Sequence, residues 1–209
     1  KVIGCNFVSN KVKPTSNHEA YGGAIQIGRD EYNLCSYVVN CSFINNGAIG
    51  RNLNNSHGGA GCVRAGIIYQ NCKFINNSAG QGGALTYHAS GSIEDCVFIN
   101  NSAKLYGGAL STGYIDGDME LIVVNCNFEQ NNAPYGGAVQ LKGKNIEIHK
   151  SIFNKNIAAI NGGAINIIAK TVTVDDVEFN KNIANVNGGA IYSNGDKTTI
   201  VDSSFIANE

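Results

Sequence analysis

The chain has 209 residues, 43% of them hydrophobic and 15% charged, with a net charge of -1. That length and composition allow a sizeable buried core. Without a Lys/Arg cluster or a stretch approaching the roughly 20 apolar residues of a membrane span, neither nucleic acid nor membrane insertion is expected.

Taken along the chain, the first signals are Cys5, Phe7 and Asn10, and the same order then returns. All eight phenylalanines are followed three residues later by asparagine, from Phe7 and Asn10 to Phe205 and Asn208. Between successive Phe-x-x-Asn units stands a double glycine with a small residue after it: "GGAI" at 22, "GGAG" at 58, "GGAL" at 82 and 107, "GGAV" at 136 and "GGAI" at 162 and 188. From Phe128 onward the phenylalanines are 25, 26 and 26 residues apart. Two-helix repeats need 33 residues or more and propeller blades about 40. Short alternating runs such as "TVTVDDVEF" also lack helical periodicity. A coil of three short strands and three turns fits, which makes the fold class all-β: a right-handed parallel β-helix of about eight coils, one per repeat. Residues 1–209 form a single such segment, and because both termini fall inside a repeat it is expected to be excised from a larger protein.

Each position then has an expected role. Phe and the residue two before it share an inward strand face, so Cys5, Cys41, Cys72, Cys96 and Cys126 form a buried column that Ser151, Val177 and Ser203 continue. Rungs about 4.8 Å apart place the Cβ atoms beyond the distance a disulfide prefers, so these are expected to be free thiols. Cys35 and Cys62 fall outside the column and could pair. Asn40, Asn71, Asp95, Asn125, Lys150, Asp176 and Asp202 mark a first tight corner. The asparagine after each Phe occupies the next, where like side chains can hydrogen-bond up and down the stack. Gln26, Cys62, Thr86, Ser111, Gln140, Asn166 and Tyr192 form a flat outer strip on the last strand.

Departures from the period are the candidate sites. Phe7 to Gly22 and Phe43 to Gly58 each span 15 residues, where later coils need 8 or 9. The two insertions should touch, and they carry Lys11, Lys13, His18, Glu19, Tyr21, Arg51 and His57, the candidate ligand-binding set. A third insertion, "GYIDGDMEL", places Asp116, Asp118 and Glu120 at alternate positions, a weak calcium candidate that a solvated turn also explains. Asp175, Asp176 and Asp202 gather near His149 and Lys150, as acids do in polysaccharide-cleaving sites, but a tight corner also favours Asp. Tyr21, Tyr106 and Tyr135 each precede a double glycine, where rings could stack on sugars or be partly buried.

With Phe-x-x-Asn and Gly-Gly-Ala-Ile alternating over the whole chain, the sequence resembles the polymorphic outer-membrane-protein repeats of chlamydiae, which adhesin-like surface proteins of gut methanogenic archaea share. The resemblance implies a β-helix passenger on the cell surface, extracellular, with adhesion as its role. It carries over no catalytic residue and no cofactor, because the family repeat is structural. The expected function is therefore non-catalytic binding to a glycan or surface protein of a host or neighbouring cell. The alternatives are a polysaccharide lyase or glycosidase on the same scaffold, or a passive stalk.

Overall fold

The computed structural model describes residues 1–15, 18–28, 36–50, 52–113 and 119–209. The chain winds into a parallel β-solenoid with four sheets of eight, eight, nine and seven strands. Among the described residues the sole helical element is a single 3-10 turn, Leu53–Asn55. Every strand pairs in parallel with its counterpart one turn away. Phe98, for instance, is in register with Phe74 and Phe128, and Phe179 with Phe153 and Phe205.

Two details of the expected coil are corrected. Each turn contains four strands rather than three, because the chain after the repeat asparagine does not pass directly into the glycine corner. Asn132–Tyr135 and Ile157–Asn161 pair with one another as members of a sheet of their own, with the small Ala133 and Ala158 turned inward. Complete turns are also slightly fewer than eight: the sheet that closes each turn has seven strands, and Lys197–Val201 and Ser204–Ile206 only begin another.

The phenylalanines stack face to face through the centre, with centroids 4.7 Å apart and planes within 5° for Phe74–Phe98, Phe98–Phe128 and Phe128–Phe153. This is the strand-to-strand spacing read directly in the side chains. Cys41, Cys72, Cys96 and Cys126 are buried and free beside them. Each thiol donates to the carbonyl two residues back, as Cys96 does to Glu94 at 3.1 Å, and the Cys72 N–H contacts the Cys96 sulfur at 3.4 Å. The serines in this column do more than pack. Ser151 Oγ donates to the His149 carbonyl at 2.7 Å and accepts from the Cys126 N–H at 3.1 Å, taking over both thiol roles, and Ser203 does the same beside Val177. Gly61, where other repeats have an aliphatic residue, leaves room that the buried Tyr69 occupies.

Corners are made by left-handed residues. At the first corner Asn40, Asn71, Asp95, Asn125, Lys150, Asp176 and Asp202 have φ between 44° and 55°. At the second, the bend falls one residue before the repeat asparagine, on Asn45, Asn76 and Asn100 and later on Gln130, Lys155, Lys181 and Ala207, all with φ between 50° and 57°. Left-handed backbone costs an ordinary residue about 1–2 kcal/mol, and asparagine less. The double substitution Lys155→Asn with Lys181→Asn is therefore expected to raise stability by roughly 1 kcal/mol. The readout is a higher urea midpoint at unchanged slope; a lower midpoint would show that the lysine side chains contribute more than the corner strain removes.

Candidate functional site

The fourth sheet breaks the usual rule that alternate residues of a solvent-facing strand are exposed. In Val139–Leu141, Val139 and Leu141 point into the core, so Gln140 points out, yet it is only 7% exposed. The corresponding Asn166 is 3% exposed, whereas the outward Ile152 of the second sheet is 44% exposed. Something covers the outside of this sheet.

The cover comes from both flanks. On one side rise the residues that precede each double glycine, Tyr106, Tyr135 and Asn161; on the other stand Lys142, Ile168 and Asn194, which follow each strand. Between them lies a groove of about 240 Å³, floored by Ser111, Gln140 and Asn166, with Tyr192 on the next rung. Ser111 is in register with Gln140, Gln140 with Asn166 and Asn166 with Tyr192, so the groove runs along the rod axis. The Tyr106 and Tyr135 rings form one wall, with centroids 5.6 Å apart and planes tilted by 40°. Gln140 Oε1 and Asn166 Oδ1 are buried in the floor without a hydrogen-bond partner. Buried polar atoms are nearly always paired, so these are exceptions that call for an explanation.

On the first turns the two flanks close on each other. Tyr21 stacks on His57 at 5.1 Å, the Arg64 guanidinium lies 4.9 Å over the Tyr21 ring, and His88 meets His57 edge-on at 5.2 Å. Desolvation lowers the His57 pKa; Glu19 opposes this and Arg64 adds to it. The imidazole is accordingly neutral at pH 7.

The two insertions do meet, as their spacing suggests. Lys11–Val12 pairs with Gly47–Ala48, and Ala20–Tyr21 with Ser56–His57. Lys11, Lys13, His18 and Glu19 are exposed, while Tyr21 is half-buried and His57 buried in the ring cluster. Arg51 lies outside the described residues, as do Asp116, Asp118 and Cys35. Glu120 is exposed and its N–H bonds Ser90 Oγ at 3.0 Å. Cys62 is fully buried. The corner acids separate into two sets: His149 sits between Glu147 and Asp175 at 3.3 and 3.4 Å, whereas Asp176 and Asp202 serve the left-handed corner. Among the described residues no group of three His, Cys, Asp or Glu side chains is placed to hold a metal.

The parts of the groove are legible in the sequence, though the groove is not. Tyr106 and Tyr135 mark a repeated position, and Ser111, Gln140 and Asn166 belong to an outer polar strip that is sunken rather than flat. The bulk of the tyrosines ahead of the glycines was the available sign that a wall rises beside that strip.

The Chlamydia polymorphic membrane protein (Chlamydia_PMP) repeat matches the chain at residues 95–113 and 176–194, and the chain carries repeats of that type. Each match begins on a left-handed first-corner residue, Asp95 or Asp176, and runs through the phenylalanine and the double glycine into the fourth sheet. No curated protein and no solved structure matches the chain.

Proposed function

We propose that this chain is a module of an extracellular, cell-surface adhesin-like protein, which engages a host or neighbouring cell by non-catalytic binding. The polymorphic membrane protein repeat and the β-solenoid fit such a protein. The observation that carries the reading is the groove on the fourth sheet: a preformed concavity with one aromatic wall and a hydrogen-bonding floor, held on a rigid stack of parallel strands. Ligand sites characteristically combine such a shape with a few placed polar groups. The paired insertions supply a second contact surface through Lys11, Lys13, His18 and Glu19.

Fluorescently labelled protein is expected to bind target cells saturably and to be displaced by unlabelled protein. If the insertions touch the partner, Lys11→Glu with Lys13→Glu will weaken that binding several-fold; unchanged binding would remove the insertions from the contact surface. Absence of saturable binding to every cell type tried would favour a passive stalk, a role that the regular rungs from Phe128 to Phe205 also suit.

A further inference from the structure

We propose that the groove over the fourth sheet binds an uncharged linear glycan laid along the rod axis, about one sugar ring to a turn. This deepens the adhesin-like reading by naming the ligand's chemistry, and it rests on that reading only for the ligand's place on a cell surface.

Three observations select this class of ligand. The first is the state of the floor. Its backbone groups are already used between rungs, with the Val139 N–H bonded to Ala164 O at 2.9 Å and the Ile165 N–H to Ala190 O at 3.0 Å. An extended peptide that binds by joining a sheet needs a free strand edge, and here only a sheet face is presented. What remains are side-chain groups, among them the unpartnered, more than nine-tenths buried carboxamide oxygens of Gln140 and Asn166. A carboxamide both donates and accepts, as a sugar hydroxyl does, so the two groups can satisfy each other in pairs.

The second is the wall. Tyr106 and Tyr135 are half-buried, with their rings fixed beside the floor. The C–H face of a pyranose packs on an aromatic ring, and the phenol oxygens add hydrogen-bonding groups at the rim.

The third is charge and length. Among the described lining residues the one formally charged side chain is Lys142, which gives the groove little to offer a polyanion that carries a carboxylate or sulfate on every unit. Turns stand 4.7 Å apart at the Phe128–Phe153 stack, comparable with the length of one sugar residue. The floor from Ser111 to Tyr192 covers three such steps, about 14 Å, which accommodates roughly three or four rings.

The test is calorimetric titration of the 209-residue protein with neutral linear oligosaccharides built from hexoses or from N-acetylhexosamines, in a length series from dimer to hexamer. Oligogalacturonates and heparin fragments serve as the charged comparison. The expected result is binding within the neutral series whose affinity rises with length and levels off at about four units. Tyr135→Ala and Gln140→Ala should each weaken it about tenfold while leaving the melting temperature unchanged, since neither side chain packs in the core. Ile152→Ser, on the outward face of the second sheet, should leave it unchanged. No binding across the neutral series, a preference for the acidic polymers, or binding indifferent to both groove substitutions would each overturn the proposal. Cell binding that persists without oligosaccharide binding would overturn the groove assignment and leave the adhesin-like reading standing; oligosaccharide binding without cell binding would do the reverse.

Discussion

Replacing Asn131 with aspartate is expected to cost about 4 kcal/mol of stability, although the two side chains are nearly the same size. Asn131 is fully buried and its carboxamide is used completely. Its Oδ1 accepts from the N–H and the Nδ2 of Asn101, at 2.9 and 3.0 Å. Its own Nδ2 donates one hydrogen down to Phe98 O and the other up to Asn156 Oδ1, both at 3.0 Å. The same four bonds recur at Asn77, Asn101 and Asn156, so the ladder is continuous. Aspartate keeps both acceptors but loses both donors: Phe98 O loses its side-chain partner, Asn156 Oδ1 keeps only the backbone N–H of residue 131, a carboxylate oxygen is set against both, and a charge is buried with no counterion. Losing a buried hydrogen-bond donor costs about 1–3 kcal/mol, and an uncompensated buried charge adds to that. The control is the next residue: Asn132 is exposed, and Asn132→Asp should change stability by less than about 0.5 kcal/mol. Urea unfolding followed by circular dichroism compares the two, and equal midpoints would mean that the ladder is not a source of stability.

Gly137→Ala should be equally damaging, for a different reason. A Cβ on Gly137 would overlap the Gly163 carbonyl oxygen of the next turn and approach Ile157 backbone atoms to 2.6 and 2.7 Å. Neither obstacle is a flexible side chain, so the rungs must separate. Overpacking commonly costs about 1–3 kcal/mol, and a clash with backbone belongs at or above the top of that range. Its neighbour Gly136 is needed on other grounds, having φ +63°. The double glycine thus answers two demands at once: the first residue turns left-handed, and the second lets successive turns approach closely. By contrast, a Cβ on Gly47 meets nothing nearer than 3.6 Å, so Gly47→Ala should be tolerated within about 1 kcal/mol. If thermal unfolding found Gly47→Ala and Gly137→Ala alike, close approach would not be why the second glycine recurs.

Both substitutions fall on positions that repetition picks out, and this is why so much of the architecture was legible. A solenoid places equivalent residues one above another, so a residue type that returns once per turn reports a constraint that returns once per turn. Phe, Asn and the second Gly are each held by their own copies in the neighbouring turns. The expected three-strand turn failed where that logic is weak. Ser78–Gln81, Ser102–Tyr106 and Asn132–Tyr135 share little beyond an inward alanine, and the shift in register after that alanine disguises their alternation. The second corner is likewise hidden from the period, because its left-handed position changes from Asn76 and Asn100 to Gln130, Lys155 and Lys181 while its backbone does not.

What the amino-acid sequence determined by itself is the inside of this protein: parallel stacking, the phenylalanine column, the asparagine ladder, the buried thiols and the meeting of the two insertions. All of these follow from like residues contacting like at a fixed step along the chain. The tertiary structure alone decided the outside. Tyr135, Gln140 and Lys142 are separated by a glycine turn and a strand, and no period relates a wall to a floor. Only the folded turn sets the tyrosines at the end of the third sheet beside the outer strip, with Lys142, Ile168 and Asn194 on its far side, so that Gln140 and Asn166 lie buried at the bottom of a groove.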